Sequence, residues 1–135
     1  MSLPDTNAIV RAHLAADVAL TALVGTRIYC PTLPEKATLP AVTLFTRGGT
    51  STPYIPDIPD PSVQINSWHE TNPGTARQIY RAVYDALQGI QNTAVTIGGA
   101  TYYILAAEEE VQGQDLIDPD TKWYKTMTFF RIKIR

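Results

Sequence analysis

Carboxylates are the side chains whose spacing in this sequence comes closest to a metal-binding pattern. Asp115, Asp118 and Asp120 lie close together, like a fragment of a calcium-binding loop. The pattern is incomplete, because Pro119 interrupts it and the glycine and closing glutamate of such a loop are missing. The sequence therefore predicts a turn with Pro119 at its second position, and no metal site.

A second group of carboxylates is consecutive in a predicted strand. Alternation along the strand places Glu108 and Glu110 on one face and Glu109 on the other. Paired carboxylates hydrolyse glycosides only across a cleft of set width, with pKa values that differ, and neighbours on one solvated strand rarely meet this condition. Two interpretations remain: a charged strand that discourages pairing between sheets, and an acidic surface that repels DNA.

Histidine, cysteine and glycine give no stronger signal for catalysis. His13 lies in a predicted helix and His69 ends a predicted strand, and lone histidines are usually surface or packed residues. Cys30 is interpreted as a small buried side chain in a β-prone run. Neither Gly48-Gly49 nor Gly98-Gly99 forms the pattern that cradles phosphate before a helix. The sequence thus predicts no catalytic residue, no cofactor and no metal.

Length and composition limit the classes that remain. A chain of 135 residues most simply forms one domain, residues 1–135. Its net charge of −2 argues against a nucleic-acid binder that works by neutralising phosphates. One cysteine cannot form an intrachain disulfide. With no signal peptide and no membrane-spanning run in the sequence, we expect a soluble protein made in a cytoplasm.

The strongest local pattern is a strand that runs directly into a helix, from Pro61 to Gln88. Residues 62–69 alternate as a pleated strand does. Asn72 is placed to cap the helix and Pro73 fits its first turn. The apolar residues of the helix then recur at helical spacing: Ile79, Tyr80, Val83, Ala86 and Leu87. Burial of this stripe is expected to hold the helix against the sheet.

The rest of the chain supplies one more helix and further strands. Residues 5–24 are predicted as one helix that ends at Gly25. The predicted strands are 27–30, 41–46, 62–69, 93–97, 100–111 and 123–134, and the second helix is 73–88. The two glycines Gly98-Gly99 join two strands in a tight hairpin. This order predicts an α+β fold: an antiparallel-rich, mixed sheet with two main helices packed on one face, in a single domain.

Two stretches predict contacts with other chains. The loop 47–61 carries four prolines, which favour a stiff, extended path. Its centre is interpreted as a partner-contact element (Tyr54, Ile55, Pro56, Asp57 and Ile58), against the alternative of a projecting loop without a role. The strand 123–134 is apolar on both faces, so one face is expected to be covered by another subunit. Phe130, Ile132 and Ile134 are the residues predicted at that interface.

Five segments of the chain occur in a characteristic order. They are LTALVGTRIY (20–29), LPAVTLF (39–45), VQINSW (63–68), ARQIYRAVYDAL (76–87) and DPDTKWYKTMTFFRI (118–132). In this order they resemble the tail-completion, or tail-terminator, proteins of long-tailed bacteriophages, prophages and gene transfer agents. The resemblance covers nearly the whole chain and consists of structural elements rather than a diagnostic motif.

The resemblance implies a structural virion protein without catalysis, cofactor or membrane contact. Six copies would form a ring on the head-proximal end of the tail tube, end tube polymerisation and meet the connector or stopper protein of the head. DNA would pass through the lumen without specific binding. Within this arrangement we expect Glu108, Glu109 and Glu110 near the lumen, and the segment 54–58 against the tube or the next subunit.

Two other readings of the sequence stay open. Another neck component, such as a head-completion or stopper-like connector protein, would also assemble as a ring but with different partners. A small α+β ligand-binding domain or enzyme belongs to a different class. It predicts a monomer or dimer with a concave pocket of convergent polar groups. The oligomeric state distinguishes the enzyme from the two ring proteins.

Overall fold

Helices pack against one face of a β-sheet in the computed structural model, which describes residues 4–50 and 60–135. These residues form three helices: α1 (Thr6–Ala15), α2 (Val18–Val24) and α3 (Pro73–Leu87). They also form six strands: β1 (Ile28–Tyr29), β2 (Ala41–Thr50), β3 (Asp60–His69), β4 (Gln91–Ile97), β5 (Ala100–Ile117) and β6 (Tyr124–Ile134). The predicted α+β class is confirmed, with one helix more than expected.

The strands form one sheet in the order β1-β2-β3-β6-β5-β4. Only the short β1–β2 pair is parallel among the described strands, so the sheet is mixed and mostly antiparallel as predicted. Ile97 pairs with Ala100 across Gly98 and Gly99, whose φ angles of 58° and 84° are those of the predicted tight hairpin. Helix α1 contacts both β2 and β4, because the sheet curls around it.

The prediction of one helix over residues 5–24 is wrong. The chain breaks at Asp17, which is extended (φ −80°, ψ 118°) and whose carboxylate accepts from the backbone N–H of Leu20 at 3.0 Å. Asp17 therefore caps a new helix, and α2 leaves α1 at 88°. The apolar period alone does not reveal the break, since Leu14 and Leu20 on either side are both buried.

No single helix of the described residues is long and apolar enough to cross a membrane. Helices α1 and α2 reach that length and hydropathy only when they are counted together as a bent pair.

Helix α3 begins where the sequence predicts. The Oδ1 atom of Asn72 accepts from the N–H groups of Gly74 and Thr75 at 2.9 and 3.3 Å, and Pro73 occupies the first turn. The predicted stripe faces the sheet, with Ile79, Val83 and Leu87 fully buried. This packing confirms that the buried stripe holds α3 against the sheet.

The strands around the predicted loop 47–61 are longer than expected. Strand β2 continues to Thr50 and β3 begins at Asp60, so both ends of that loop are paired strand. A register shift between Thr46 and Gly49 absorbs one extra residue. Gly49, at φ 137°, lies so close to the backbone of Asp60 and Pro61 that a Cβ atom would collide with it. The glycines thus allow a bulge where the sequence indicated a loop.

The last strand corrects the predicted subunit interface. Phe130, Ile132 and Ile134 are fully buried in the core cluster of the single chain, beneath the helices. A second copy cannot reach these side chains in this fold. Any contact that β6 makes with a neighbour must use the opposite face, which carries Met127 and Phe129.

Candidate assembly surfaces

The sheet has a second face, opposite to the helices, whose side chains form rows across four strands. In each row the residues of β5, β6, β3 and β2 are neighbours in register. One row is Val111, Phe129, Gln64 and Phe45; the next is Gln114, Met127, Asn66 and Thr43; the third is Leu116, Lys125, Trp68 and Ala41. The helices of the described residues pack on the other face, so we call this one the uncovered face.

Aromatic side chains on the uncovered face are held by polar and cationic neighbours. The Nε1–H group of Trp68 donates to Oγ1 of Thr43 at 3.0 Å, and Lys125 Nζ lies 5.1 Å from the centroid of the Trp68 ring. The guanidinium of Arg47 lies 4.3 Å from the centroid of the Phe129 ring. We define the sheet patch as Phe45, Trp68, Val111, Met127 and Phe129, of which Val111 is exposed and the other four are half-buried. An apolar patch with aromatic members and cations over their rings is typical of a protein interface.

Charged side chains lie beside the sheet patch on the same face, and we call them the charged band: Asp60, Glu108, Glu110, Arg131 and Lys133. Arg131 donates from Nε and Nη2 to Asp60 Oδ2 at 2.9 and 2.7 Å. Glu108 pairs with Arg131 across the strands, and Glu110 Oε1 accepts from the Ser62 hydroxyl at 2.6 Å. Hydrogen bonds and charge from Asp60, followed by the nearby glutamates, raise the pKa of Arg131 above its ordinary value.

The charged band forms the floor of a shallow depression rather than an acidic wall. The depression has a volume of about 210 Å³, below the roughly 300–1,000 Å³ of small-molecule sites. Its carboxylates are offset in part by Arg131 and Lys133, which line it together with Asp60 and Glu108. The band therefore carries less net negative charge than the sequence suggested.

Glu109 is separated from its two neighbours. Its Oε2 atom accepts from the hydroxyls of Tyr80 at 2.6 Å and Thr128 at 2.7 Å, on the helix side of the sheet. Its own N–H group donates to Oε1 of Gln88 at 2.8 Å. Burial, and then the hydrogen bond to Glu109, raise the pKa of Tyr80. The predicted alternation is correct, but Glu109 joins α3 to the sheet and cannot share a lumen surface with Glu108 and Glu110.

The aspartate cluster of the sequence forms the predicted turn between β5 and β6. Asp118 Oδ2 accepts from the N–H and hydroxyl groups of Thr121 at 2.9 and 2.8 Å. These hydrogen bonds lower the pKa of Asp118. Asp115 instead bonds Arg77 of α3 at 3.2 Å. Across residues 4–50 and 60–135, no three metal-binding side chains come together.

The two histidines form hydrogen bonds within the fold, and the cysteine packs against the core. His13 Nε2 is 2.8 Å from the carbonyl oxygen of Ala86, and His69 Nδ1 accepts from the N–H groups of the turn before α3, at 2.9 Å from Asn72 N. Cys30 is half-buried, and this burial raises the pKa of its thiol. None of the three is placed for catalysis. The predicted contact segment 54–58 lies outside the described residues.

Alternation within single strands does not bring the members of the sheet patch together. Alternation along the strands puts Phe45 opposite to Val42 and Leu44, and Trp68 opposite to Val63 and Ile65. It also puts Met127 and Phe129 together on one face of β6. The missing information was the strand order, which puts β3 between β2 and β6. The available signal was an aromatic residue on the nominally polar face of each of these three strands.

Comparisons with known proteins bear on this arrangement. The family model described as "Tail completion protein gp17" matches residues 8–135, from α1 to the end of the chain. Among solved structures, a chain of the "Virion of native gene transfer agent (GTA) particle" aligns over 96% of this chain and 93% of its own. Its TM-score is 0.66 at 20% identity, which is a likeness of fold. A search of curated proteins gave no match. The chain belongs to the tail completion protein gp17 family and is a structural component of a phage-like virion tail rather than an enzyme.

Proposed function

We propose that six copies of this chain form a ring that caps the head-proximal end of the tail tube, ends tube polymerisation and joins the tail to the head. The observation that carries the proposal is the sheet patch: aromatic side chains on a face that the helices of residues 4–50 and 60–135 leave uncovered. Family membership and the fold shared with a chain of a gene transfer agent virion support it. The partners are the tail tube protein and a head-side connector or stopper protein.

A ring of this kind works by shape and surface alone. Each copy offers one surface to the next around a closed axis. Tube subunits can no longer add once the ring occupies their docking site. The DNA passes through a lumen toward which we place Glu108 and Glu110, and with Arg131 and Lys133 beside them the wall holds no excess of positive charge that would retain phosphates.

Tails assembled without this protein test the proposal directly. Electron micrographs are expected to show tubes of uncontrolled length and heads without tails, and the added wild-type chain is expected to restore joining. Tubes of normal length in the absence of the chain would contradict the role in ending polymerisation. Normal joining would contradict the role in attachment.

The segment 54–58 is proposed to contact the tube or the neighbouring copy, on the basis of its composition. Because Thr50 pairs with Asp60, a short glycine-serine turn in place of residues 52–59 can close the β2–β3 pair. This variant is expected to fold, with an unchanged circular dichroism spectrum, and to lose tail joining. If joining persists at the wild-type level, the segment has no part in the contact.

A further inference from the structure

Exposed apolar side chains surround the bend between α1 and α2. We call this surface the helix corner and define it by its exposed members Ala15, Ala16, Val18, Ala19 and Ala22. Val18 is 81% exposed, so the fold of the single chain gains nothing from burying it. Valine also has a lower helix propensity than alanine. Neither packing within the chain nor helix formation accounts for this residue.

The helix corner offers small side chains and one carboxylate. Asp17 lies at its centre and is engaged through Oδ2 as the cap of α2. The carboxyl end of α1 and the amino end of α2 meet at this bend, and because their dipoles are of opposite sign, the Asp17 carboxylate is the charge that remains. The surface is therefore apolar with a negative centre, and its alanines permit a close approach of another chain.

The sheet patch has the complementary properties. It is apolar, its members Trp68 and Phe129 lie beneath Lys125 and Arg47, and both cations belong to the same face. Cations over these aromatic rings attract a carboxylate such as that of Asp17. The two surfaces thus match in hydrophobicity and oppose each other in charge.

Their positions also match the requirement of a ring. The helix corner belongs to the helix layer, whereas the sheet patch lies on the opposite side of the sheet. A six-fold ring needs two different surfaces on each copy, since a contact between two identical surfaces closes as a dimer. Stacking the helix layer of one copy on the uncovered sheet of the next satisfies this condition.

We propose that the helix corner of one copy docks onto the sheet patch of the next copy, and that this repeated head-to-tail contact closes the ring. This inference rests on the proposed function. It identifies the partner of the uncovered sheet face as a second copy of the chain. It also gives the exposed Val18 a position inside an interface.

Two single variants test the contact from its two sides. Val18→Arg adds a cation to the helix corner, and Val111→Arg adds one to the sheet patch at a residue that is 38% exposed. Because both side chains are exposed, the melting temperature of each variant is expected to stay at the wild-type value. Ile117→Arg is the matched control, a 58% exposed apolar residue outside both surfaces.

The readouts are native mass spectrometry of the full-length chain and the amount of chain retained in purified tails. Val18→Arg and Val111→Arg are each expected to abolish the multi-copy ring and to reduce retention about tenfold or more, whereas Ile117→Arg is expected to assemble normally. A mixture of the two variants is expected to give one-to-one pairs, because each retains one intact surface. Rings from that mixture would contradict a head-to-tail contact.

The failures of this inference and of the proposed function are distinguishable. Rings that form equally well with Val18→Arg or Val111→Arg would overturn this contact and leave the proposed ring intact. A wild-type chain that is present in one copy per tail would overturn both. Equal loss of assembly with Ile117→Arg would also overturn the contact, since any added surface charge would then be sufficient.

Discussion

At the scale of single residues, Glu109 joins the helix layer to the sheet by hydrogen bonds as well as packing. Its carboxylate accepts from Tyr80 of α3 and Thr128 of β6, and its N–H group bonds Gln88 just after α3. A half-buried carboxylate is stabilised only while such donors are present. The hydrogen bond from Tyr80 to Glu109 also holds the hydroxyl end of the Tyr80 ring in place.

Removal of the Tyr80 hydroxyl is expected to destabilise the fold. Tyr80→Phe leaves Glu109 with one hydroxyl donor, and a lowering of the free energy of unfolding by about 1–2 kcal/mol is expected. Urea denaturation followed by circular dichroism measures it. Tyr84→Phe, on the same helix with a 36% exposed side chain, is the control and should change little. Equal effects of the two variants would show that Glu109 does not depend on this donor.

The raised pKa of Tyr80 predicts a loss of stability at alkaline pH. The folded state holds the phenol proton more tightly than the unfolded state, where the pKa is about 10. The stabilisation is therefore complete below about pH 10 and is lost as the pH rises through the raised value. Urea midpoints from about pH 8 to 11 should fall more steeply for the wild type than for Tyr80→Phe, which lacks this titration. Parallel curves would contradict the assignment.

At the scale of elements, strand β5 is shaped by irregularities that sequence alternation does not show. Register shifts follow Ile104, Glu109 and Val111. Strand β5 runs to Ile117, beyond its predicted end at Val111. The last shift contains Gly113, where the Tyr80 ring lies against the strand. A Cβ atom there would be 2.8 Å from Tyr80 Cε2 and Cζ and 2.9 Å from Thr126 Cγ2. A side chain at this position would therefore force the Tyr80 ring or Thr126 to move.

A methyl group at Gly113 is expected to push α3 away from the sheet. Gly113→Ala should lower the free energy of unfolding by about 1–3 kcal/mol through overpacking. Thermal and urea denaturation measure the loss. The exposed neighbour Gln112→Ala is the matched control and should stay near the wild-type value. If Gly113→Ala leaves the free energy of unfolding unchanged, the Tyr80 ring can move away from the strand without loss of stability.

At the scale of the whole molecule, the two sides of the sheet have different roles. The helix side holds the core, to which the three helices and six strands of the described residues all contribute buried side chains. The other side carries the sheet patch and the charged band. Since the core cluster of the described residues lies on the helix side, the side chains of the uncovered face are available for the proposed contact between copies.

Reversal of the charged band is expected to slow DNA passage. Glu108→Lys with Glu110→Lys moves the net charge of each chain from −2 to +2 and places two lysines beside Arg131 and Lys133. A ring with this lumen should retain phosphates, so infectivity should fall about tenfold or more while tails still assemble.

The control for this prediction makes the same charge change elsewhere. Glu35→Lys with Glu70→Lys alters two exposed glutamates outside the band and should leave infectivity unchanged. Normal infectivity of the Glu108 and Glu110 double variant would place these residues away from the DNA path.

Local patterns were sufficient wherever one residue type fixes one conformation. Asn72 and Pro73 determine the start of α3, and Gly98-Gly99 determine a hairpin, because caps and positive φ angles depend on neighbours in the chain. The apolar stripe of α3 also follows from the chain itself, because it depends only on the helical spacing of nearby residues. The helix break at Asp17 was missed, since an aspartate within an apolar period is compatible with both a continuous helix and a cap.

The sequence by itself determined the α+β class, the central strand–helix unit and the absence of a recognisable catalytic pattern. The tertiary structure alone decided which apolar face of β6 is core: Phe130, Ile132 and Ile134 lie under the helices, and Phe129 and Met127 lie opposite. It alone brought Phe45 and Trp68 beside them, and it alone showed that Glu109 is the glutamate that faces the helices. The physical reason is that alternation sorts the residues of a strand onto two faces but does not say which of the two faces meets the helices. That direction depends on strand order and bulges, which distant parts of the chain set together.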